Sequence, residues 1–193
     1  MTKPTLYGLV LAGGQSTRMG RDKALLSYHG LPQRDHVFQL LSRFCKKVFT
    51  SVGHSKPNEL VTNPIKDAFS IKGPLNGILS AFQQHEGVAW ITMPIDMPLV
   101  NDQTIQLLIA HRDIEKVATC FYDSDGKNPE PLLTLWEPKA AHLLRAFYDE
   151  GKTSPREFLI SADINLLRIP DVNLLKSINT PEEFDSLQGL RKK

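Results

Sequence analysis

With 193 residues, the chain has the length of one domain with a sizeable hydrophobic core, and we predict a single domain over residues 1–193. Its hydrophobic fraction of 41% and its charged fraction of 23% are ordinary for a globular protein. A formal net charge of +2 gives no electrostatic case for a nucleic-acid or membrane partner, and we predict neither. A small anionic substrate requires only local positive charge, so composition leaves such substrates open.

Three features predict the cellular compartment. The N-terminal segment lacks the apolar core and the cleavage site of a signal peptide. No apolar run approaches the roughly 20 residues needed to span a bilayer. The two cysteines, Cys45 and Cys120, lie in apolar surroundings without metal-ligand spacing, which is typical of structural thiols in a reducing compartment. We therefore expect a cytoplasmic protein.

Two hydrophobic periodicities alternate along the chain. The run from Leu6 to Leu11 is apolar and stops at glycines, which predicts a buried strand. Residues 34–45 then place their apolar side chains on one helical face. The same patterns predict further strands at 48–52, 88–95, 117–122, 132–136 and 164–169. They predict further helices at 75–85, after Asp102, at about 138–150 and at about 155–162.

This alternation indicates an α/β fold. Strand 88–95 is apolar on both faces, as in sheets that are covered on both sides, and alternating strands and helices indicate βαβ units. We predict a three-layer α/β/α, Rossmann-like domain with a mixed, mostly parallel sheet. Ligands of such sheets bind beyond the carboxyl ends of the strands, and two chemically rich segments follow strands there: 13–23 and Asp96.

The first of these segments is a glycine-rich loop, Leu11-Ala-Gly-Gly-Gln-Ser-Thr-Arg-Met-Gly-Arg-Asp-Lys23. Its small residues at 12–14 let backbone N–H groups approach phosphate oxygens. The side chains of Arg18 and Lys23 can neutralise the charge of a triphosphate. The spacing fits neither a Walker A loop nor a GxGxxG fingerprint, and a turn that merely needs glycine is the structural alternative. We predict phosphate binding by Leu11, Ala12, Gly13, Gly14, Arg18 and Lys23.

The second segment is Met93-Pro-Ile-Asp-Met-Pro-Leu99. A carboxylate at the end of a buried strand is costly unless it is paired or metal-bound. Mg²⁺ takes hard oxygen ligands and typically bridges one or two carboxylates to phosphates. Asp96 is therefore a candidate magnesium ligand, and the alternative is a turn or helix-cap aspartate.

The pattern LAGGxSxRMGxDK resembles the signature loop of the sugar- and cofactor-nucleotidyltransferases, and it is most similar to that of the molybdenum cofactor guanylyltransferases. The pair Asp22-Lys23 favours this family, because the related cytidylyltransferases usually show LAAG and lack the aspartate. The resemblance implies a nucleotide-diphospho-sugar transferase fold. It also implies Mg²⁺-dependent transfer of GMP from GTP to molybdopterin with release of pyrophosphate, and transient contact with molybdenum cofactor insertion and acceptor proteins.

The same resemblance assigns roles to individual residues. The family's magnesium-binding (C/S)D(M/T)P motif matches Asp96, although Ile95 departs from it. Its NxNTPE element, near the metal and phosphates, matches Asn179, with Ser177 in place of the first Asn, and Ser51 stands where guanylyltransferases often place Asn. Its nucleotide-contacting D…GPLxG motif matches Asp67, Gly73, Pro74, Leu75 and Gly77. We expect the two glycines to allow close approach of the base or ribose.

The proposed chemistry requires no general base, because the attacking phosphate is already an anion at neutral pH. We therefore predict catalysis by positioning and charge neutralisation, with Arg18, Lys23 and Asp96 as the catalytic residues. Two alternatives remain open on the sequence. One is cytidylyl transfer to molybdopterin or to another phosphorylated small molecule, and the other is a nucleotide-binding module without turnover.

Overall fold

The computed structural model describes residues 2–12, 30–53, 61–178, 180, 182–183 and 186. Its strands are β1 (Leu6–Leu11), β2 (Lys47–Val52), β3 (Pro64–Lys66), β4 (Ala89–Pro94), β5 (Ala118–Tyr122), β6 (Pro129–Trp136) and β7 (Ile164–Leu167). Its helices are α1 (Gln33–Ser42), α2 (Pro74–Gln84), α3 (Asp102–Ala110), α4 (Ala140–Asp149) and α5 (Pro155–Ser161), followed by a 3-10 turn over Val172–Leu175.

The predicted elements are confirmed with small shifts of their ends, and two differences have local causes. The three-residue strand β3 was not predicted, because an apolar–polar alternation cannot be recognised over so few residues. Strand β6 begins at Pro129 rather than at 132. The sequence Pro129-Glu-Pro argues against a strand, since proline cannot donate a ladder hydrogen bond.

The strands form one seven-stranded sheet in the order β3-β2-β1-β4-β6-β5-β7. Strands β2 and β4 both pair with β1 in parallel, and β3 pairs with β2 in parallel. Strand β6 runs antiparallel to both β4 and β5, and β7 is parallel to β5. The predicted mixed, mostly parallel sheet is confirmed.

Helices cover both faces of the sheet because the strands alternate their apolar side chains between two cores. In β1, Val10 packs in the core formed with α1 and α3. Its neighbours Leu9 and Leu11 pack in the other core, with α2, α4 and α5. The predicted three layers follow from this alternation.

The register brings the ends of the first four strands to one edge. Leu11 pairs with Ser51 of β2 and with Pro94 of β4, and Val52 pairs with Lys66 of β3. The segments that leave these strands therefore begin side by side at what we call the carboxyl edge. Within the described ranges, no helix combines the length and the apolar character that crossing a membrane would require.

The two cysteines are free and buried, as the sequence predicts. Burial raises the pKa of the Cys45 thiol to about 12. Burial, with a smaller contribution from the charge of Glu130, raises the pKa of Cys120 to about 12 as well. Neither thiol is therefore a nucleophile at neutral pH.

Candidate active site at the carboxyl edge of the sheet

The predicted phosphate loop leaves the carboxyl end of β1. Leu11 is buried as the last residue of that strand, and the N–H of Ala12 donates to the carbonyl of Val10 at 3.2 Å. The remaining predicted residues of the loop lie outside the described part of the chain, and their roles stay predictions. They are Gly13, Gly14, Arg18 and Lys23.

Asp96 lies in the turn that follows β4, at the strand end where the sequence predicts it. Its carbonyl oxygen accepts a hydrogen bond of 2.7 Å from the N–H of Ile178. The C-terminal segment therefore runs directly against the Asp96 turn. This segment leads into Asn179, which itself lies outside the described residues.

The structure adds a carboxylate that the sequence analysis missed. Thr92 of β4 pairs with Thr134 of β6, and the same antiparallel register continued by four residues brings Glu130 opposite Asp96. Glu130 is buried, and its Oε1 accepts a hydrogen bond of 2.9 Å from the N–H of Leu132. Burial raises the pKa of Glu130, and the negative charge of Asp96 adds to that rise against the lowering effect of backbone N–H groups and Arg156.

The sequence did contain a signal for Glu130. It is a carboxylate between two prolines at the start of an apolar run, Pro129-Glu-Pro-Leu-Leu, and a buried charge of that kind needs a compensating partner. The sequence analysis began this strand at 132, so Glu130 lay outside the predicted strand and was not connected with Asp96.

A second carboxylate at the carboxyl edge, that of Asp123, forms an ion pair with Arg156. Asp123 follows β5, and its Oδ1 accepts hydrogen bonds from the N–H groups of Lys127 and Asn128, at 3.1 and 3.3 Å. Its Oδ2 accepts a hydrogen bond of 2.7 Å from Nη1 of Arg156. Burial by itself would raise the pKa of Asp123, but the two N–H groups and the guanidinium outweigh it and hold the pKa below its ordinary value.

These side chains line a cavity of about 710 Å³ at the carboxyl edge. Its walls come from the β5–β6 turn, the start of α5 and the C-terminal segment. The described lining residues are Asp123, Ser124, Asp125, Glu130, Arg156, Leu175, Lys176, Ser177, Ile178, Glu182, Glu183 and Ser186. Ser177, which stands at a family Asn position, therefore faces the cavity.

Asp67 lies on the other side of the β1 end from the cavity. Its N–H donates to the carbonyl of Val52 at 3.2 Å, and its Oδ2 would lie 3.9 Å from a Cβ added at Gly53. Strands β3 and β4 are separated by β2 and β1, so the ends that carry Asp67 and Asp96 are three strand spacings, or about 14 Å, apart. Asp67 and Asp96 thus lie along the same edge, with the β1 end between the two carboxylates.

At the start of α2 the predicted nucleotide contacts stay predictions, and the structure shows how open each position is. Gly73 adopts φ 102° and ψ 179°, a backbone conformation that glycine alone tolerates, and it precedes Pro74 at the first helical turn. A Cβ added at Gly73 would meet no heavy atom within 4 Å, so the backbone is open to close approach. The side chain of Leu75 is fully buried, which leaves only its main chain for a nucleotide contact.

Two buried polar residues of α2 fix the loop that carries Asp67. Asn76 accepts from the N–H of Phe69 at 3.1 Å and donates to the carbonyls of Phe69 and Ile71 at 2.6 and 2.7 Å. Ser80, one turn later, accepts from the N–H of Ala68 at 2.9 Å. Sequence analysis missed both, although buried polar residues four apart on an apolar helix are a recognisable sign of such a network.

Gly77 packs closely against the sheet. A Cβ at this buried position would collide with the side chain of Ser51 in β2, and Ser51 is itself buried. The missing side chain therefore serves the packing of α2 on β2, and the approach of a base or ribose to Gly77 stays a prediction.

The donor chemistry at Asp96 fits a divalent metal ion. Its carboxylate lies at the edge where phosphates are predicted, and Mg²⁺ is usually held by one or two carboxylates plus substrate phosphates. In the part of the chain that the structure describes, no group of three or more His, Cys, Asp or Glu side chains could hold an ion by itself.

A mostly parallel sheet with a glycine-rich segment after its first strand and a carboxylate after its fourth defines the class of nucleotidyltransferases. Comparison with known proteins places the chain more closely. It belongs to the MobA-like NTP transferase domain family, whose model matches residues 8–164. Enzymes of this class generally use a divalent metal ion.

Two curated relatives extend over nearly the whole chain. One is a molybdenum cofactor biosynthesis bifunctional protein from Synechocystis, 33% identical over 97% of this chain and 55% of its own length. The chain therefore spans about half of that relative. The other is a probable molybdenum cofactor guanylyltransferase from Trichormus variabilis, 28% identical over 95% of this chain and 91% of its own.

The fold also has a solved counterpart. The crystal structure of molybdopterin-guanine dinucleotide biosynthesis protein A from Archaeoglobus fulgidus superposes with a TM-score of 0.74. The match covers 96% of this chain and 98% of the other, at 20% sequence identity. At that identity the likeness concerns the fold, and it supports the predicted nucleotide-diphospho-sugar transferase type.

Proposed function

We propose that this chain transfers GMP from GTP to molybdopterin, releases pyrophosphate and forms the guanine dinucleotide cofactor. The proposal is supported by the names of its relatives, which include molybdenum cofactor guanylyltransferases. The observation that carries it is the order along the carboxyl edge: Asp67 and the open backbone of Gly73 at one end, the β1 end in the middle and Asp96 beyond it.

The reaction balances without proton transfer by the protein. An oxygen of the acceptor's phosphate attacks the α-phosphorus of GTP, the new P–O bond forms, and the bond to the β-phosphate oxygen breaks as pyrophosphate leaves. Arg18 and Lys23 stabilise the charge on the phosphates. Asp67, Gly73, Pro74 and the main chain of Leu75 bind the nucleoside, and Asn179 lies near the phosphates.

Magnesium is the ion that we propose for Asp96. When bound, it supplies charge neutralisation at the α-phosphate. The chain's own contribution is to hold the carboxylate in a turn fixed by the hydrogen bond from Ile178, so that phosphate and acceptor meet at a constant position. We further propose that the whole of residues 1–193 acts as one nucleotidyltransferase domain in the cytoplasm, with transient contact to molybdenum cofactor insertion and acceptor proteins.

The direct test is incubation of the protein with each of the four NTPs, Mg²⁺ and molybdopterin, with mass analysis of the product. We expect a guanylyl adduct and pyrophosphate with GTP. A cytidylyl adduct would identify a cytidylyltransferase. Nucleotide binding without pyrophosphate release would instead indicate a binding module.

Two substitutions test the assigned chemistry. Asp96→Ala and Lys23→Ala should each lower turnover with GTP by about 10³-fold or more, because each removes a charge that acts on the transferred phosphate. Asp163→Ala and Lys116→Ala are matched controls, since these two side chains form an exposed ion pair of 2.6 Å next to β5 and β7 at the opposite edge. Turnover of either site variant near that of the controls would refute the role of that residue.

A further inference from the structure

The cavity of about 710 Å³ lies on the other side of Asp96 from the proposed nucleoside contacts. The sheet order places β4 between β3, which leads into Asp67, and β6, which contributes Glu130 to the cavity wall. The wall also contains Ile178, which is hydrogen-bonded to the carbonyl of Asp96. The cavity therefore adjoins the proposed reaction centre, and its volume lies in the range of small-molecule sites.

The charges of the described cavity wall are unevenly distributed. Five carboxylates contribute to it, whereas its positive charges are Arg156 and Lys176. An anionic group that enters such a cavity is repelled by most of the wall, so a correctly placed cation must bind it. The guanidinium of Arg156 is hydrogen-bonded to a buried carboxylate, that of Asp123.

Arg156 is held in place but not enclosed. Its side chain is 41% exposed, whereas that of its partner Asp123 is 8% exposed. Asp123 is itself fixed by two backbone N–H groups of the β5–β6 turn. The hydrogen bond to Asp123 engages Nη1, and a guanidinium carries five N–H donors in a rigid fork suited to phosphate oxygens.

Glu130 lies between the cavity and the turn that carries Asp96. Arg156 and Glu130 line the same cavity, and the β4–β6 register, continued toward the carboxyl edge, places Glu130 beside Asp96. The charges of Arg156 and Asp96 act on the buried carboxyl of Glu130 in opposite directions.

We propose that Arg156 binds the phosphate of the acceptor in this cavity and presents its attacking oxygen toward Asp96, with Asp123 as the residue that positions the guanidinium. This inference rests on the proposed function, because it assigns the acceptor's place within the same reaction. It makes Arg156 a determinant of acceptor binding that takes no part in holding GTP.

The test is steady-state kinetics in which GTP and molybdopterin are varied separately. Arg156→Gln should raise the KM for molybdopterin by about 10- to 100-fold, since it removes a charged hydrogen-bond donor from a phosphate. The KM for GTP should stay within about twofold of the wild-type value, because Arg156 lies on the acceptor side. Arg156→Lys should give an intermediate KM for molybdopterin, because it keeps the charge and loses the fork.

A matched control is Arg43→Gln. Arg43 forms an exposed pair with Asp102 at 2.6 Å and does not line the cavity, so both KM values should remain those of the wild type. The proposal is overturned if Arg156→Gln leaves the KM for molybdopterin unchanged, or if it raises both KM values together. If Arg156→Gln does not fold, Arg156→Lys decides by the same two values.

Failure of the proposed function would look different. In that case the wild-type protein would form no guanylyl adduct of molybdopterin, and the assignment of Arg156 would fall with it. A wild-type protein that forms the adduct, combined with an Arg156→Gln variant of unchanged KM, would instead reject the inference and leave the proposed function intact.

Discussion

Two arginine–carboxylate pairs at opposite edges of the sheet show how the same chemistry serves different purposes. At the edge opposite the carboxyl edge, which we call the amino edge, Arg112 donates from Nε and Nη2 to both oxygens of Glu137, at 2.6 and 2.8 Å. Its Nη1 donates to the carbonyl of Pro4 at 3.0 Å. Their side chains are 5% and 1% exposed. At the carboxyl edge, Arg156 is 41% exposed and has one bond to Asp123.

The two pairs differ in how far the guanidinium is exposed to possible further partners. The amino-edge pair directs three hydrogen bonds of Arg112 to partners within the chain and ties the N-terminal segment to the end of β6, which is a structural task. The carboxyl-edge pair buries the carboxylate and leaves the guanidinium at a cavity, which suits ligand binding. Substitutions at the two edges should therefore separate loss of stability from loss of activity.

The largest effect on stability is expected at the amino edge. Glu137→Leu leaves the buried Arg112 without its carboxylate and should lower the free energy of unfolding by about 3–5 kcal/mol, measured by urea denaturation. The double variant Arg112→Met/Glu137→Leu should recover most of this loss, because no unpaired charge is then buried. A loss of about 1 kcal/mol or less, the value typical of exposed pairs, would show that this pair does not stabilise the fold.

A smaller loss of stability, coupled to function, is expected at the start of α2. Gly73→Ala forces an L residue into a conformation with φ 102° and should cost about 1–3 kcal/mol while weakening GTP binding, because the helix start must move. Gly151→Ala is the matched control, since this glycine also has a positive φ, of 82°, and open space, but lies between α4 and α5. Equal GTP affinity in both variants would refute a nucleotide contact at Gly73.

The smallest effect is a pH dependence at the carboxyl edge. The pKa of Asp123 is lowered in the folded protein, so its ionised form contributes stability above the unfolded-state pKa of about 3.9, and that contribution is lost as the pH falls through the folded-state value. The difference in unfolding free energy between wild type and Asp123→Asn should therefore be largest near neutral pH and shrink below about pH 4. A difference in unfolding free energy that stays constant over this range would contradict the lowered pKa of Asp123.

Some of the fold and site could be predicted because the physical causes are local. Apolar runs and helical periodicity located most of the strands and helices, since burial of one face or both faces requires those patterns. The position of Asp96 followed from a carboxylate placed directly after a buried strand.

The remaining features depend on residues that are distant in the sequence. The charge of Asp96 acts on the pKa of Glu130 only because β6 pairs with β4 in the antiparallel direction. No spacing in the sequence encodes that pairing. The packing of Ser51 against Gly77 was not predicted, because a glycine motif does not say which neighbour fills the space that it opens.

The order of residues alone predicted the class of this protein, because the motif LAGGxSxRMGxDK, which carries the resemblance to the nucleotidyltransferases, is contiguous in the chain. It also determined which strand end carries the proposed metal-binding carboxylate. Only the tertiary structure decided that a cavity with a held arginine lies beyond that carboxylate, since its walls come from three segments that antiparallel pairing and backbone hydrogen bonds bring together.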